Sequence, residues 1–464
     1  MSFSLIRNIK KIFSYKKQQD KLECIHGLKV YSMALIIMGH RIMFFIGVPS
    51  INTNYAESFY NNVETMVLLN GPIIVDTFFS ISGFLAAYLI LQKRDEKSKN
   101  SNFIFLYIHR LIRLTPVYAL IVAFYCTIFV KLGNGPLWEE RIGVEQERCI
   151  SSWWANLLYL NNYINTDKIC MFQSWYITCD MHLFLLTPFI VWVLRKSTKI
   201  GFVLLGCLIS MSILSTFLTT FFGKLDGILL LYINTLKDPT VDQTFKNIYI
   251  PTHTRASPYL VGIGTGYLLH RIQKSDYKLS KRVVYIGWFI CILTMEAIVY
   301  SAYIFYIPSR PYDPHTAAVY SAFHHFFWSI CISWFILAIS TGHGTLIDPL
   351  LSWRPLNSLS KITYTAFLCH GGIQLYTAAS LRTPMTCGVF NLIWYSLGDI
   401  ALTFTGALVL TTFFESPVIG LEKLLLGSNT KKREPWQKNV ELKIDSKTAN
   451  DDVTPISFIH VNSV

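Results

Sequence analysis

Lys29 and His40 stand eleven residues apart in a largely apolar stretch, and eleven residues complete three helical turns. On a helix both side chains point the same way, with His40 about 16 Å further along. A cation then sits at the mouth of the helix, with a titratable imidazole part-way into whatever the helix crosses. A lone histidine there is equally a hydrogen-bonded core residue, so its company matters. Arg110 and Arg113 lie one turn apart on one helix face, just before Pro116. They form a clamp for phosphate or carboxylate, or they snorkel to lipid headgroups. Pro116 is expected to open the helix that follows.

The segment Val75-Asp76-Thr-Phe-Phe-Ser80-Ile-Ser82-Gly83 puts a carboxylate ahead of small residues that let helices approach closely. Asp76 either caps a helix begun after Pro72 or orients His40 or an arginine. In Ser174-Trp175-Tyr176-Ile-Thr-Cys-Asp180-Met-His182 the acid and the imidazole are two residues apart, so they face different ways and are not a direct pair. Arg255-Ala-Ser-Pro258-Tyr259 sets a cation at a proline-started helix. Glu296, His324, His325 and His370 complete the ionisable groups within apolar runs. His324 and His325 sit in a Phe/Trp-rich stretch and read as packing rather than as metal ligands. No Cys/His spacing fits zinc, and no Gly-Lys-Ser/Thr loop or Gly-x-Ser-x-Gly elbow occurs. No metal and no permanently bound cofactor are expected.

The elements that carry these residues must be membrane helices. Of 464 residues, 52% are apolar, 15% aromatic and only 15% charged, with a mean hydropathy of +0.39. Disorder, coiled coil, nucleic-acid module and small secreted scaffold are excluded. Apolar runs of spanning length fall near 30–48, 71–92, 104–130, 174–194, 200–222, 257–270, 283–306, 317–341, 362–378 and 389–414. The sixth is short and carries Gly262, Gly264 and Gly266. The fold class is therefore all-α, a polytopic bundle of about ten transmembrane helices. Ten spans return the chain to its starting side, and 30 of the 41 Lys and Arg fall on that side. The positive-inside rule then gives N-in and C-in.

Residues 1–29 form a basic cytosolic segment, 30–425 the membrane domain and 426–464 a disordered cytosolic tail. Loops of about 131–173 and 223–256 lie on the lumenal or extracellular side. The first holds Cys149 and Cys170, which in that compartment read as a disulfide, with two free thiols as the alternative. An ionisable group at the centre of a span costs about 2.5 to 3.5 kcal/mol on insertion scales, so each one above needs a reason.

In ordered combination, several segments resemble the integral-membrane acyltransferase-3 family, most closely its nose-resistant-to-fluoxetine branch. They are His26-Gly-Leu-Lys29 with His40, Val75-Asp76 to Phe84, Arg110-Leu-Ile-Arg113, and the Cys149 to Cys170 loop with Trp153-Trp154-Ala-Asn156. Ser174-Trp-Tyr with Asp180, Arg255 to Gly262, Leu359-Ser-Lys-Ile-Thr-Tyr364 with His370, and Phe414-Glu415-Ser-Pro417 complete the set. The resemblance implies a ten-helix enzyme, an acyltransferase that moves an acyl group from cytosolic acyl-CoA, acetyl-CoA included, to an acceptor at or across the membrane. It makes His40 the catalytic histidine and Arg110 and Arg113 the acyl-CoA pair. Lys29 stands where the family has arginine, which keeps the charge and loses the bidentate fork. His26 and His182 also depart from the usual residues. Branch members often carry an extracellular N-terminal domain and an earlier helix not seen here, which leaves a short form and an incomplete gene product both open.

Residues and resemblance together give a mechanism. CoA phosphates dock on Lys29, Arg110 and Arg113, and His40 acts as general base or acyl carrier. Asp76 or Asp180 balances the imidazole, while Arg255, with Trp175 and Tyr259, meets the acceptor. The partners are the lipid bilayer, acyl-CoA and an acceptor that is a lipid, a sugar or a small amphiphile, in endoplasmic reticulum or plasma membrane. The other reading is a transporter for lipids or amphiphilic molecules, because intramembrane His, Asp and Arg also build carriers.

Overall fold

The structure is a computed structural model that describes residues 3–14, 22–95, 103–275, 277–344 and 346–426. The tail expected to be disordered lies, apart from Leu426, outside the described residues, as does 15–21 of the basic N-terminal segment. The helices that organise the chain are α1 (Leu5–Phe13), α2 (Cys24–Ile46), α3 (Ile74–Asp95), α4 (Phe103–Thr127), α5 (Val144–Leu157), α6 (Trp175–Lys196) and α7 (Thr198–Gly223). They are followed by α8 (Ala256–Ser275), α9 (Lys281–Ser301), α10 (Pro314–Ser340), α11 (Thr363–Ala379), α12 (Val389–Leu410) and α13 (Ser416–Leu426). No strand occurs among the described residues.

Each apolar run in the sequence became a helix with ends within about six residues of those expected, because an apolar segment in lipid must satisfy its own backbone. Eight of the helices are long and apolar enough to cross a membrane. The other two expected spans are α8 and α11, and α11 has only 17 residues, about 26 Å at 1.5 Å per residue. The two loops expected on one side are not plain loops: the first contains α5 and the second a short helix at Ile233–Lys237. Polar side chains set several starts. Ser280 Oγ accepts from Val283 N at the head of α9, and the Asp313 carboxylate accepts from His315 N and Thr316 N at the head of α10. Pro116 does not open a helix, as α4 runs straight through it. One missing N–H is tolerated where no water competes for the freed carbonyl.

Helix α2 is central and packs against α3, α11 and α12. The tightest pairing is α3 with α8, and glycines make it. A Cβ on Gly83 would lie 2.1 Å from Tyr259 O, on Gly262 2.2 Å from Ser80 O, and on Gly266 2.6 Å from Phe84 O. Gly262 and Gly266 are four residues apart on one face, the small-residue pattern that lets membrane helices touch backbone to backbone. Gly264 faces elsewhere: a Cβ there would find its nearest neighbour, Leu205 Cδ1, 3.9 Å away. Gly262→Ala is therefore expected to lower the stability of the detergent-solubilised protein by about 1 to 3 kcal/mol through overpacking. Gly264→Ala should leave the melting temperature within a degree or two, and equal effects from both would refute this account of the pairing.

The outer helices α7, α9 and α12 carry the apolar surface: Phe222, Phe289 and Trp394 are all more than half exposed. On a soluble protein such patches would demand a partner, and here lipid is that partner.

Candidate active site

Two cavities converge inside the bundle. The larger, about 340 Å³, is lined by Lys29, Arg110, Arg113, His109 and Asp180 beneath a wall of apolar residues. The expected cation set is thus assembled from α2 and α4. Its one acid is already engaged: Asp180 accepts from Arg110 and from Ser82 Oγ, the latter at 2.5 Å. Arg110 also lies 4.1 Å over the Phe184 ring. His109 bonds to Glu422. Lys29 and Arg113 have no hydrogen bond or ion pair to another described residue, so the cavity presents two cations whose donors are free to meet an anion.

The smaller cavity, about 80 Å³, is lined by His40 with Phe172, Gln173, Trp175 and Tyr249. Tyr176 and Phe367 line both cavities, and their ring centroids are 5.2 Å apart. These two rings form a partition between the basic cavity and the histidine.

The partner of His40 is His370. Its Nε2 lies 2.7 Å from His40 Nδ1. The two rings are within 6° of parallel with centroids 5.0 Å apart, as an in-plane bond between imidazoles requires. The protons can be assigned. His370 Nδ1 is 2.7 Å from Phe367 O, and a carbonyl only accepts, so His370 Nδ1 carries the hydrogen. Neutral His370 then offers a lone pair at Nε2, and His40 must donate from Nδ1. That leaves His40 Nε2 as the bare nitrogen, the atom a general base or nucleophile needs. Phe172 meets the His40 ring edge-on at a centroid distance of 5.1 Å.

Behind this pair lies a second polar network. Arg41 makes a two-pronged ion pair with Asp399, the Nη2 to Oδ1 distance being 2.6 Å, and also donates to Thr377 Oγ1 at 2.9 Å. Gln374, one turn after His370, donates to Asp399 at 2.9 Å and to Ile37 O at 2.8 Å. These bonds tie α2 to α11 and α12 and so fix the two histidines relative to each other. Sequence reasoning missed Asp399, although an acid in a spanning segment was a signal.

The structure places several of the expected site residues away from His40. Of the two partners expected for Asp76, His40 or an arginine, the structure shows the arginine, Arg255. Asp76 is fully buried, accepts from His325 Nδ1 at 2.5 Å and lies 3.5 Å from Arg255 Nη1. Asp180 likewise serves an arginine, Arg110. Arg255 is 0% exposed, enclosed by His325, Tyr249 and Trp175, and lines neither cavity. Tyr259, also fully buried, bonds Thr187 Oγ1 at 3.0 Å. Of the three residues assigned to the acceptor side, only Trp175 reaches the His40 cavity. His325 is not mere packing but the bridge between Asp76 and Arg255, while His324 bonds Tyr320 O at 2.7 Å. His182 and Asp180 are indeed not a pair, His182 bonding Thr252 Oγ1 at 2.9 Å. Glu296 is exposed on the outer face of α9 and lines neither cavity.

Cys149 and Cys170 form the expected disulfide across 21 residues. With Glu145 they are the one group of three potential metal donors found among the described residues, but the disulfide consumes both sulfurs. The bridge and Glu145 together hold Met171, whose φ is 55° and whose N–H donates to Glu145 Oε1 at 2.7 Å. This left-handed residue aims Phe172 and Gln173 at the His40 cavity. Burial pushes the Glu145 carboxyl up to about 7, against the Met171 N–H and Arg148, which favour the ionised form. A pKa raised above the unfolded value stabilises the fold below the unfolded pKa of about 4.5, and that stability is lost as pH rises through about 7. Thermal stability should therefore fall between pH 5 and pH 8, by up to about 3 kcal/mol from this group. In melting curves Glu145→Gln, which keeps the acceptor, should flatten that slope; an unchanged slope would remove Glu145 as its source.

Fold and site together define a multi-pass, all-α membrane protein built around a histidine pair, His370 buried and His40 half-buried, between two cavities. The chain belongs to the acyltransferase-3 family, whose acyltransferase domain matches residues 22–412. It is 29% identical to nose resistant to fluoxetine protein 6 of Caenorhabditis elegans over 92% of this chain and 54% of that protein. It is 23% identical to regulator of hypoxia-inducible factor 1 of the same nematode over 89% of this chain and 82% of that protein. A Staphylococcus aureus protein whose name assigns it provisionally to the O-acetyltransferases is 24% identical over 75% of this chain and 53% of its own length. The chain thus spans about half the length of the first and third of these relatives. No solved structure matches it.

Proposed function

We propose that the protein transfers an acyl group from acyl-CoA to a hydroxyl or amine acceptor, with His40 as general base. The observation that carries this reading is the unpaired Nε2 of His40, set across two aromatic rings from a cavity with two cations that make no hydrogen bond. Lys29 and Arg113 bind CoA phosphates, and Arg110, held by Asp180, shapes the wall beside them. Once the Tyr176 and Phe367 rings part, the thioester reaches His40. As the acceptor oxygen attacks the thioester carbonyl, Nε2 takes its proton, the C–S bond breaks, and the proton passes to the leaving thiolate to give free CoA. His370 holds the productive tautomer. His40 acting as a transient acyl carrier uses the same free nitrogen. In this reading the basic end faces the cytosol and the disulfide the oxidising side, so the bundle is N-in and C-in with ten crossings.

The test is direct. Purified protein in nanodiscs, given radiolabelled acyl-CoA of two to sixteen carbons, should release free CoA. Arg113→Gln should raise the KM for acyl-CoA about tenfold, as expected for one lost phosphate contact, with a smaller change in kcat. No CoA release at any chain length, with amphiphile flux preserved in vesicles, would favour a carrier instead.

A further inference from the structure

Two glycines, together with Leu35 and Leu68, stand between the His40 cavity and a third void. Gly39, next to His40, and Gly71, in the turn that leads into α3, line both the His40 cavity and an apolar cavity of about 280 Å³ between α2, α3, α9 and α10. Neither is glycine for packing or backbone reasons. A Cβ on either meets nothing within 4 Å, unlike those on Gly83, Gly262 and Gly266. Neither has a positive φ. What their missing side chains provide is open space between the two cavities.

The third cavity is walled by hydrocarbon, including Leu28, Ile42, Met295, Ile332 and Phe335. Two of its few polar side chains are committed elsewhere. Asn70 donates to Ile298 O at 3.2 Å and Tyr320 OH at 3.1 Å, and Thr77 Oγ1 accepts from Trp328 Nε1 at 3.0 Å. Such a space offers little to water and suits an alkyl chain. Its lining includes Leu35, 42% exposed and shared with the His40 cavity, which stands at the midpoint of α2 and places an exposed apolar residue of this wall at mid-depth of the bundle.

We propose that this cavity takes the hydrocarbon chain of an amphiphilic acceptor entering sideways from the bilayer, and that the Gly39–Gly71 passage lets its hydroxyl or amine reach His40 Nε2. The acyl donor's own chain has the same chemistry. The acceptor is favoured because the donor's cationic cavity lies on the other side of His40, bounded by α2, α3, α4, α6 and α11. Two substrates then approach one base from two sides. The inference rests on the acyl-transfer reading, and its test separates the two.

The probe is a sixteen-carbon alcohol bearing a diazirine near the chain end, photolysed with the full-length protein in nanodiscs and mapped by peptide mass spectrometry. Label should concentrate on Met295–Val299 and Ile332–Phe335, and fall at least tenfold in Met295→Trp, which fills the cavity, and in Gly71→Leu, which blocks the passage side. Met295→Leu, matched in volume, should label like the parent and controls for folding. Absence of label above background at both peptides in the parent protein would overturn the inference whatever the activity. Label at those peptides in a protein that releases no CoA would keep the chain site and overturn the acyl-transfer reading. In transfer assays Met295→Trp should abolish the preference for long acceptors and leave donor chain preference unchanged; a shift confined to donor chain length would assign the cavity to the donor and overturn the proposal.

Discussion

His40→Ala is expected to abolish acyl transfer, a loss of about 10² to 10⁴ in rate for a positioned base, with expression, size-exclusion profile and melting temperature preserved. The reason is specific to one atom. With Nδ1 given to His370 Nε2, only Nε2 of His40 faces the cavity unprotonated, and no other described side chain lining that cavity offers a comparable base. His370→Phe removes the acceptor that fixes the tautomer but leaves the base itself. Transfer should fall about tenfold to a hundredfold, and the pH–rate profile should change shape because His40 is free to exchange tautomers. A purely structural role for His370 would lower the melting temperature and leave the profile of the surviving activity alone. Full acyl-CoA turnover by His40→Ala in vesicles would sink the assignment.

Asp399→Ala is expected to destabilise the protein by about 3 to 5 kcal/mol, the usual cost of leaving a buried charge without its partner. Arg41 and Asp399 are both nearly fully buried, with side-chain exposures of 3% and 4%, and Gln374 and Thr377 are organised around them. The double variant Arg41→Met, Asp399→Leu removes both charges and should recover most of the loss, since an apolar pair of similar volume avoids desolvation. Thermal denaturation in detergent, with single and double variants compared, measures the coupling. Additive effects of the two single changes would show that the pair does not act as a unit. Activity should fall in the single variants even where they fold, because the network sets the spacing of α2 and α11.

The positions of the helices were legible in the sequence because hydrophobic length decides them. The grouping of Lys29 with Arg110 and Arg113, and the direction of His40 along α2, were legible from helical phase and from the resemblance. The partners of the charges were not. Asp76, Asp180 and Arg255 were each visible as ionisable groups in apolar runs, but which charge meets which depends on how α3, α6, α8 and α10 cross, and one chain's periodicity does not encode that. The glycines of α8 show the same divide. They made the sixth span look short, although Gly262 and Gly266 are what bring α8 against α3. Arg41 and Asp399 could have been matched as two buried charges in search of opposites; only their separation of 358 positions in the chain concealed them as a pair. The role of His370 depended on a ring-to-ring contact that spacing alone cannot give.

On the acyl-transfer reading proposed above, the partition of Tyr176 and Phe367 bears on how economically an activated thioester would be used. Every such donor has a competing fate, hydrolysis, and a base strong enough to deprotonate an alcohol will also deprotonate water. With the rings closed, a donor waiting in the cationic cavity is screened from His40, and the space around that base, about 80 Å³, admits only a few water molecules. On that reading the protein would sit loaded at low acceptor supply without draining the acyl-CoA pool, and consumption would follow acceptor supply rather than donor concentration.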